Sequence, residues 1–197
     1  MKKLGILVSH RGSNFQAIID ACDKRQINAN IVIAVSNNSQ SEGLNRAKRA
    51  NIETAHLSNS THSNPTELDT AMASLFEAYK VDIIVTAGYM KKLGVITLSK
   101  FSGRILNVHP SLLPKYGGKG MYGMNVHKAV IEAGDKETGI TIHWLDKQYD
   151  TGPIISQKSV PVMPNDTPTS LAERVLIVEH ELLVSTLAEL TNDGKPQ

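Results

Sequence analysis

Short apolar runs rich in β-branched residues alternate along the chain with segments whose apolar positions recur every three or four residues. That alternation predicts strands and helices building a largely parallel sheet. Residues 4–8 form the first run, followed by a helical stripe of Phe15, Ile18, Ile19 and Cys22. Residues 31–35 predict a second strand, 42–50 a helix, 81–87 a third strand and 104–108 a fourth. Asn64-Pro65-Thr66-Glu67 reads as a helix start, with a capping Asn, Pro in the first turn and Glu three residues after the cap. Leu68, Ala71, Met72, Leu75 and Tyr79 continue its apolar stripe.

The second half changes style. Val126, Ala129, Val130 and Ala133 form a stripe that stops at Gly134, a natural helix end. Ile140, Ile142 and Trp144 alternate with Thr141 and His143, so this strand presents two different faces. Residues 154–162 predict a further strand or two, and Thr167-Pro168 opens a last helix with Leu171, Val175, Val178 and Leu182 on one face. No repeat, low-complexity tract or linker divides the chain, so residues 1–197 are expected to form one α/β domain: a single open, mostly parallel twisted sheet with helices on both faces.

Composition narrows the functions. With 41% hydrophobic and 20% charged residues the chain is ordinary globular protein, and a formal charge of +2 without a Lys/Arg run argues against nucleic acid. The lone Cys22 excludes an internal disulfide and any multi-cysteine metal cage, and no trusted His spacing suggests a metal. No apolar run spans a bilayer, and the short run after Met1-Lys2-Lys3 is no signal peptide, so a cytoplasmic location is expected.

Three segments carry candidate chemistry. Ser9-His10-Arg11-Gly12-Ser13-Asn14 lies between the first strand and the first helix, a usual ligand position in open parallel sheets. Gly12 permits close backbone approach, Ser13 and Asn14 offer donors, and the helix N-terminus suits phosphate. A plain capping loop has the same composition. Neither G-x-G-x-x-G nor a P-loop is present, which argues against NAD and ATP, and Gly118-Lys119-Gly120 is no Walker A. In Asn107-Val108-His109-Pro110, Asn107 and His109 share a strand face and could both donate to an oxyanion; a hydrogen-bonded strand end would look alike. Asp150-Thr151-Gly152-Pro153 is a turn by composition, or a carboxylate that keeps a nearby imidazole protonated.

Taken in order, Gly12-Ser13-Asn14, Ala87-Gly88-Tyr89-Met90, Asn107-Val108-His109-Pro110-Ser111-Leu112-Leu113-Pro114, Asp150-Thr151-Gly152-Pro153 and Val178-Glu179-His180 resemble the phosphoribosylglycinamide formyltransferase family over nearly the whole chain. The Asn-x-His-Pro-Ser-Leu-Leu-Pro segment marks the wider folate formyltransferase group. The resemblance implies a Rossmann-like formyltransferase fold, with an N-terminal half that binds phosphate and a C-terminal half that binds folate and catalyses. It implies that Gly12, Ser13 and Asn14 hold the substrate phosphate and Glu179 the ribose hydroxyls. Met90, Lys91, Lys92 and Leu93, with Asn107, Asp146 and Asp150, would flank the pterin of 10-formyltetrahydrofolate, the formyl donor. Asn107, His109 and Asp150 match the catalytic trio. The partners implied are small molecules, with no nucleic acid, membrane or metal, and the chain is expected as a monomer or homodimer. Pro65 and Lys91 stand where some members carry arginine, residues 117–125 look longer than in the shortest members, and a final strand is expected to be missing at Asn192 to Gln197.

The reaction so implied is formyl transfer to the amine of 5-phosphoribosylglycinamide in purine biosynthesis. Asn107 and protonated His109 would stabilise the oxyanion, with Asp150 assisting. Alternatives are a 10-formyltetrahydrofolate hydrolase, expected instead to carry a regulatory domain before residue 1, a formyltransferase acting on initiator tRNA or a sugar nucleotide, and a non-catalytic phosphosugar-binding module.

Overall fold

The computed structural model describes residues 1–192. Its elements follow the order β1 (Lys2–Leu7), α1 (Ser13–Asp23), β2 (Ala29–Ser36), α2 (Glu42–Arg49), β3 (Thr54–His56), α3 (Pro65–Ala78) and β4 (Ile83–Thr86). Then come α4 (Val95–Lys100), β5 (Ile105–His109), α5 (Met124–Glu132), β6 (Glu137–Trp144), β7 (Ile154–Pro161) and α6 (Pro168–Thr191). The strands form one sheet in the order β3-β2-β1-β4-β5-β6-β7. Pairing is parallel from β3 to β5 and antiparallel for β5–β6 and β6–β7.

Alternation along the strands explains the two-sided covering. Leu4, Ile6 and Val8 pack on one face with Phe15 and Ile18 of α1 and Leu183 of α6. Leu7, Ile84 and Ile105 pack on the other with Phe76 of α3 and with Leu98 and Phe101 at α4. The Phe76 and Phe101 rings meet edge to face at 5.9 Å. Cys22 packs against the first of these cores as its apolar stripe requires, and burial pushes its thiol up to about 11.

The predicted helix starts are built as their sequences suggest. Asn64 accepts from the Thr66 amide at 2.8 Å, and Thr167 and Ser170 form a reciprocal capping pair. Pro65 therefore serves as the first residue of α3. Two elements have no counterpart in the hydrophobic pattern: β3 has three residues and α4 six, too few to show a period. Residues 154–162 resolve to the single strand β7. The expected absence of a final strand concerns a stretch that, from residue 193 onward, lies outside the described residues. Among the described residues no helix is long and apolar enough to cross a membrane.

Candidate active site

The carboxyl ends of β1, β4 and β5 open onto a cavity of about 550 Å³. At one end lies the loop into α1. Gly12 sits at φ 66°, and a Cβ built there would stand 3.0 Å from the Gly43 Cα; only glycine fits this approach of loop to α2. No side chain caps α1, and the first intrahelical amide bond of the loop is Gln16 to the Gly12 carbonyl. The helix start thus offers its first amides and its dipole to an anion. The Asn14 amide nitrogen donates to the Glu179 carboxylate of α6, while Asn14 Oδ1 is buried without a partner. That oxygen suits a ligand N–H or O–H, leaving phosphate oxygens to the backbone amides and Ser13. Burial raises the Glu179 carboxyl above its usual range, and the Asn14 bond partly offsets this.

At the other end, β5 aims Asn107 and His109 the same way, as the period-two reading requires. Register supplies their neighbours. Asn107 lies beside Thr86 on β4 and His143 on β6. The Thr86 hydroxyl donates to Asn107 Oδ1, and Asn107 Nδ2 donates to His143 Nε2 at 3.1 Å. His143 Nδ1 donates to the Trp144 carbonyl at 3.0 Å, so Nε2 of the neutral ring is free to accept. Burial pushes the fully enclosed His143 below its usual pKa and holds it neutral at pH 7. The amide of Asn107 is therefore fixed from both ends, with one N–H left to give.

His109 Nε2 donates to the Tyr116 carbonyl at 2.8 Å. Its Nδ1 faces Asp150 Oδ1 at 3.6 Å, and His143 Nε2 stands 3.7 Å from the same oxygen. Both separations are too long for good hydrogen bonds, and with His143 neutral only the His109 contact can act as an ion pair. With Nε2–H committed to a carbonyl, a proton on Nδ1 turns a repulsive contact with the carboxylate into an attractive one. Asp150 is held in place by its left-handed backbone, φ 57°, and by the Gly118 amide, which donates to Oδ2 at 2.9 Å. Gly152 closes this turn: a Cβ there would stand 1.9 Å from the Trp144 carbonyl oxygen.

Met90, Lys91, Lys92 and Leu93 line the cavity between these ends, with Asp146 on the far loop. The Met90 amide donates to Ser9 Oγ at 2.8 Å, tying this segment to the end of β1. Lys92 Nζ lies 5.1 Å over the Tyr149 ring, a cation–π contact across the cavity. Leu93 packs mainly into the second core, and the Asp146 carboxylate is engaged by the Thr151 hydroxyl and the Gln148 amide within its own loop.

Of the residues to which the family resemblance gives a site role, all but Gly12 and Ser13 line this cavity, and those two precede Asn14 directly. Pro65 does not line it, whereas Lys91 and most of the stretch 117–125 do. Sequence reasoning passed over Thr86, His143 and the Gly118 amide. His143 had a signal in its alternation with Ile142 and Trp144, but only the β5–β6 register sets it beside Asn107. Among the described residues no group of three or more His, Cys, Asp or Glu could hold a metal ion.

A family profile described as formyl transferase matches residues 2–187. The chain is 41% identical over 182 residues to the phosphoribosylglycinamide formyltransferase of Haemophilus influenzae, covering 92% of this chain and 84% of that protein. It is 40% identical to the chloroplastic phosphoribosylglycinamide formyltransferase of Arabidopsis thaliana, covering 98% of this chain. It spans about two thirds (66%) of that relative's length. The crystal structure of glycinamide ribonucleotide transformylase 1 from Symbiobacterium toebii superposes with a TM-score of 0.91 at 35% identity, over 97% of this chain and 88% of that one.

Proposed function

The chain belongs to the formyl transferase family, in its phosphoribosylglycinamide formyltransferase branch, and from that premise we propose that it transfers the formyl group of 10-formyltetrahydrofolate to the amine of 5-phosphoribosylglycinamide. The products are the N-formyl ribonucleotide and tetrahydrofolate, a step of purine biosynthesis. The observation that carries the reading is the meeting, in one cavity, of an uncapped helix start suited to phosphate with an Asn–His–Asp cluster suited to an oxyanion.

In this reading the α1 amides and Ser13 take the phosphate, and Glu179 accepts from the ribose hydroxyls. Asn14 holds Glu179 in place. Met90, Lys91, Lys92 and Leu93 face the loop 146–150 across the space for the pterin. The apolar share of that lining and its few fixed polar groups fit a flat heterocycle. The donor's chemistry is the supply of an activated formyl carbon. The substrate amine attacks that carbon, and the carbonyl oxygen takes up negative charge. Asn107 gives its free N–H to that oxygen, and Nδ1–H of His109 gives a second hydrogen bond. Collapse returns the electron pair, expels the folate nitrogen and transfers a proton to it, while the attacking nitrogen loses one. Asp150 neutralises charged His109 and stands where a water could relay these protons.

The chain then acts as one domain, 1–197. Its N-terminal half supplies the phosphate loop and its C-terminal half the catalytic trio, with Glu179 reaching back to the loop. Small molecules are its partners. The test is formyl transfer from 10-formyltetrahydrofolate to glycinamide ribonucleotide, compared with formate release when the acceptor is omitted. Acceptor-dependent transfer supports the reading; equal formate release with and without acceptor marks a hydrolase, and neither activity marks a binding module.

A further inference from the structure

Tyr116 is an unusual residue to find holding a catalytic histidine. It contributes to His109 only through its backbone carbonyl, which accepts from Nε2 at 2.8 Å. To aim that carbonyl, Tyr116 adopts φ 56°, a left-handed backbone that a bulky side chain seldom takes. Such a conformation persists only where the surroundings over-determine it.

The restraint lies on the outer side of the loop. The Tyr116 hydroxyl donates to Asp135 Oδ2 at 2.7 Å, at the turn between α5 and β6. Lys115 Nζ reaches both oxygens of the same carboxylate, at 2.7 and 2.6 Å. These bonds hold the Asp135 carboxyl below its usual range, so it is ionised at neutral pH. The preceding turn is tied as well: Ser111 Oγ donates to the Lys115 carbonyl at 2.6 Å, and Thr141 Oγ1 donates to the Ser111 carbonyl at 2.7 Å. Lys115 is exposed, so its ion pair with Asp135 contributes little to stability. The arrangement is better explained by where it puts the next peptide.

We propose that Asp135, through the Tyr116 hydroxyl, is a positioning residue for His109: it clamps Tyr116 in its left-handed conformation so that its carbonyl keeps the proton on Nε2 and turns Nδ1 toward Asp150 and the reacting carbonyl. The inference rests on the proposed formyl transfer for its kinetic consequence, and on the geometry alone for its effect on the ring.

Tyr116→Phe removes only the hydroxyl and leaves the ring packed against the core. Asp135→Ala removes the acceptor, and Asp135→Asn keeps one for the phenol. Long-range ¹H–¹⁵N correlation spectra of histidine-labelled protein, with His109 assigned by substitution, report which ring nitrogen carries the proton. Tyr116→Phe and Asp135→Ala are expected to lower kcat about tenfold with both KM values unchanged, as for a small misplacement of a reacting group. In both, spectra recorded at a pH where the ring is neutral should show the His109 Nε2–H signal moving toward a mixture of tautomers. The double variant should be no worse than either alone, and Asp135→Asn should recover most of the loss. An unchanged His109 signal in folded Tyr116→Phe, or a loss confined to KM, overturns the inference. Absence of transfer by the unsubstituted chain defeats the proposed function instead, and the spectra then decide the inference by themselves.

Discussion

The two ends of the cavity are built by opposite means. The α1 end is made of backbone: an uncapped helix start, a left-handed Gly12 packed on Gly43, and amides pointing outward. The β5–β6 end is made of side chains that fix one another, Thr86 to Asn107 to His143, with Asp150 beside both histidines. A backbone site tolerates changes of side chain but not of conformation. A side-chain network behaves the other way, and small substitutions there disarm it without disturbing the fold. The first end is suited to binding, the second to chemistry.

Substitutions at the two ends should therefore separate rate from affinity. The largest effect is expected at Asn107→Ala, which removes the proposed oxyanion donor and should lower kcat about a hundredfold to a thousandfold with little change in either KM. Steady-state kinetics with each substrate varied checks this, and wild-type turnover would take Asn107 out of the mechanism. Gly12→Val should instead weaken ribonucleotide binding about a hundredfold and leave folate binding intact, because a branched residue fits neither the positive φ nor the contact with Gly43. Calorimetry with each ligand alone reads the difference; equal loss of both ligands in a folded variant would erase the division between the ends.

His143→Ala should cost about tenfold in kcat by freeing the Asn107 amide, and His143→Gln, which keeps an acceptor, should cost less. Burial lowers the His143 pKa, so the folded chain resists its protonation. Its contribution to stability is present above the ordinary histidine range and is lost as pH falls through the folded value. Acid unfolding of His143→Gln should accordingly begin at lower pH than in the unsubstituted chain, as thermal melts across a pH series would show.

The smallest effect is expected at Glu179→Gln. Burial raises this carboxyl, so the folded chain keeps its proton to higher pH than the unfolded chain does. Stability then declines as pH rises from the ordinary carboxylate range through the raised value. Removing the charge should raise the melting temperature at pH 7 by about 2 °C while weakening ribonucleotide binding severalfold. A lower melting temperature with unchanged binding would make Glu179 a structural residue.

The same contrast governs how much could be read from the amino acids alone. Strand and helix periods located eleven of the elements, because each spans enough residues to show its repeat; Thr54–His56 and Val95–Lys100 do not. The loop 12–14 stood out as a candidate because a helix start is contiguous in sequence. The Asn107–His109 pair was legible because both lie on one strand. His143 and Thr86 were not, since their proximity to Asn107 comes from strand pairing across 36 and 21 residues, and no local pattern carries a register. The Tyr116 carbonyl left no trace, because a backbone oxygen has no letter in the sequence.

The separation of binding from chemistry is tested most directly by changing the acceptor instead of the protein. Glycinamide ribonucleotide and its dephosphorylated riboside carry the same amine and differ only at the group assigned to the α1 end. The account predicts acceptor-dependent formyl transfer to both, with kcat/KM for the riboside lower by about a hundredfold or more, as loss of a charged group held at a helix start implies. Equal kcat/KM for the two acceptors would contradict it.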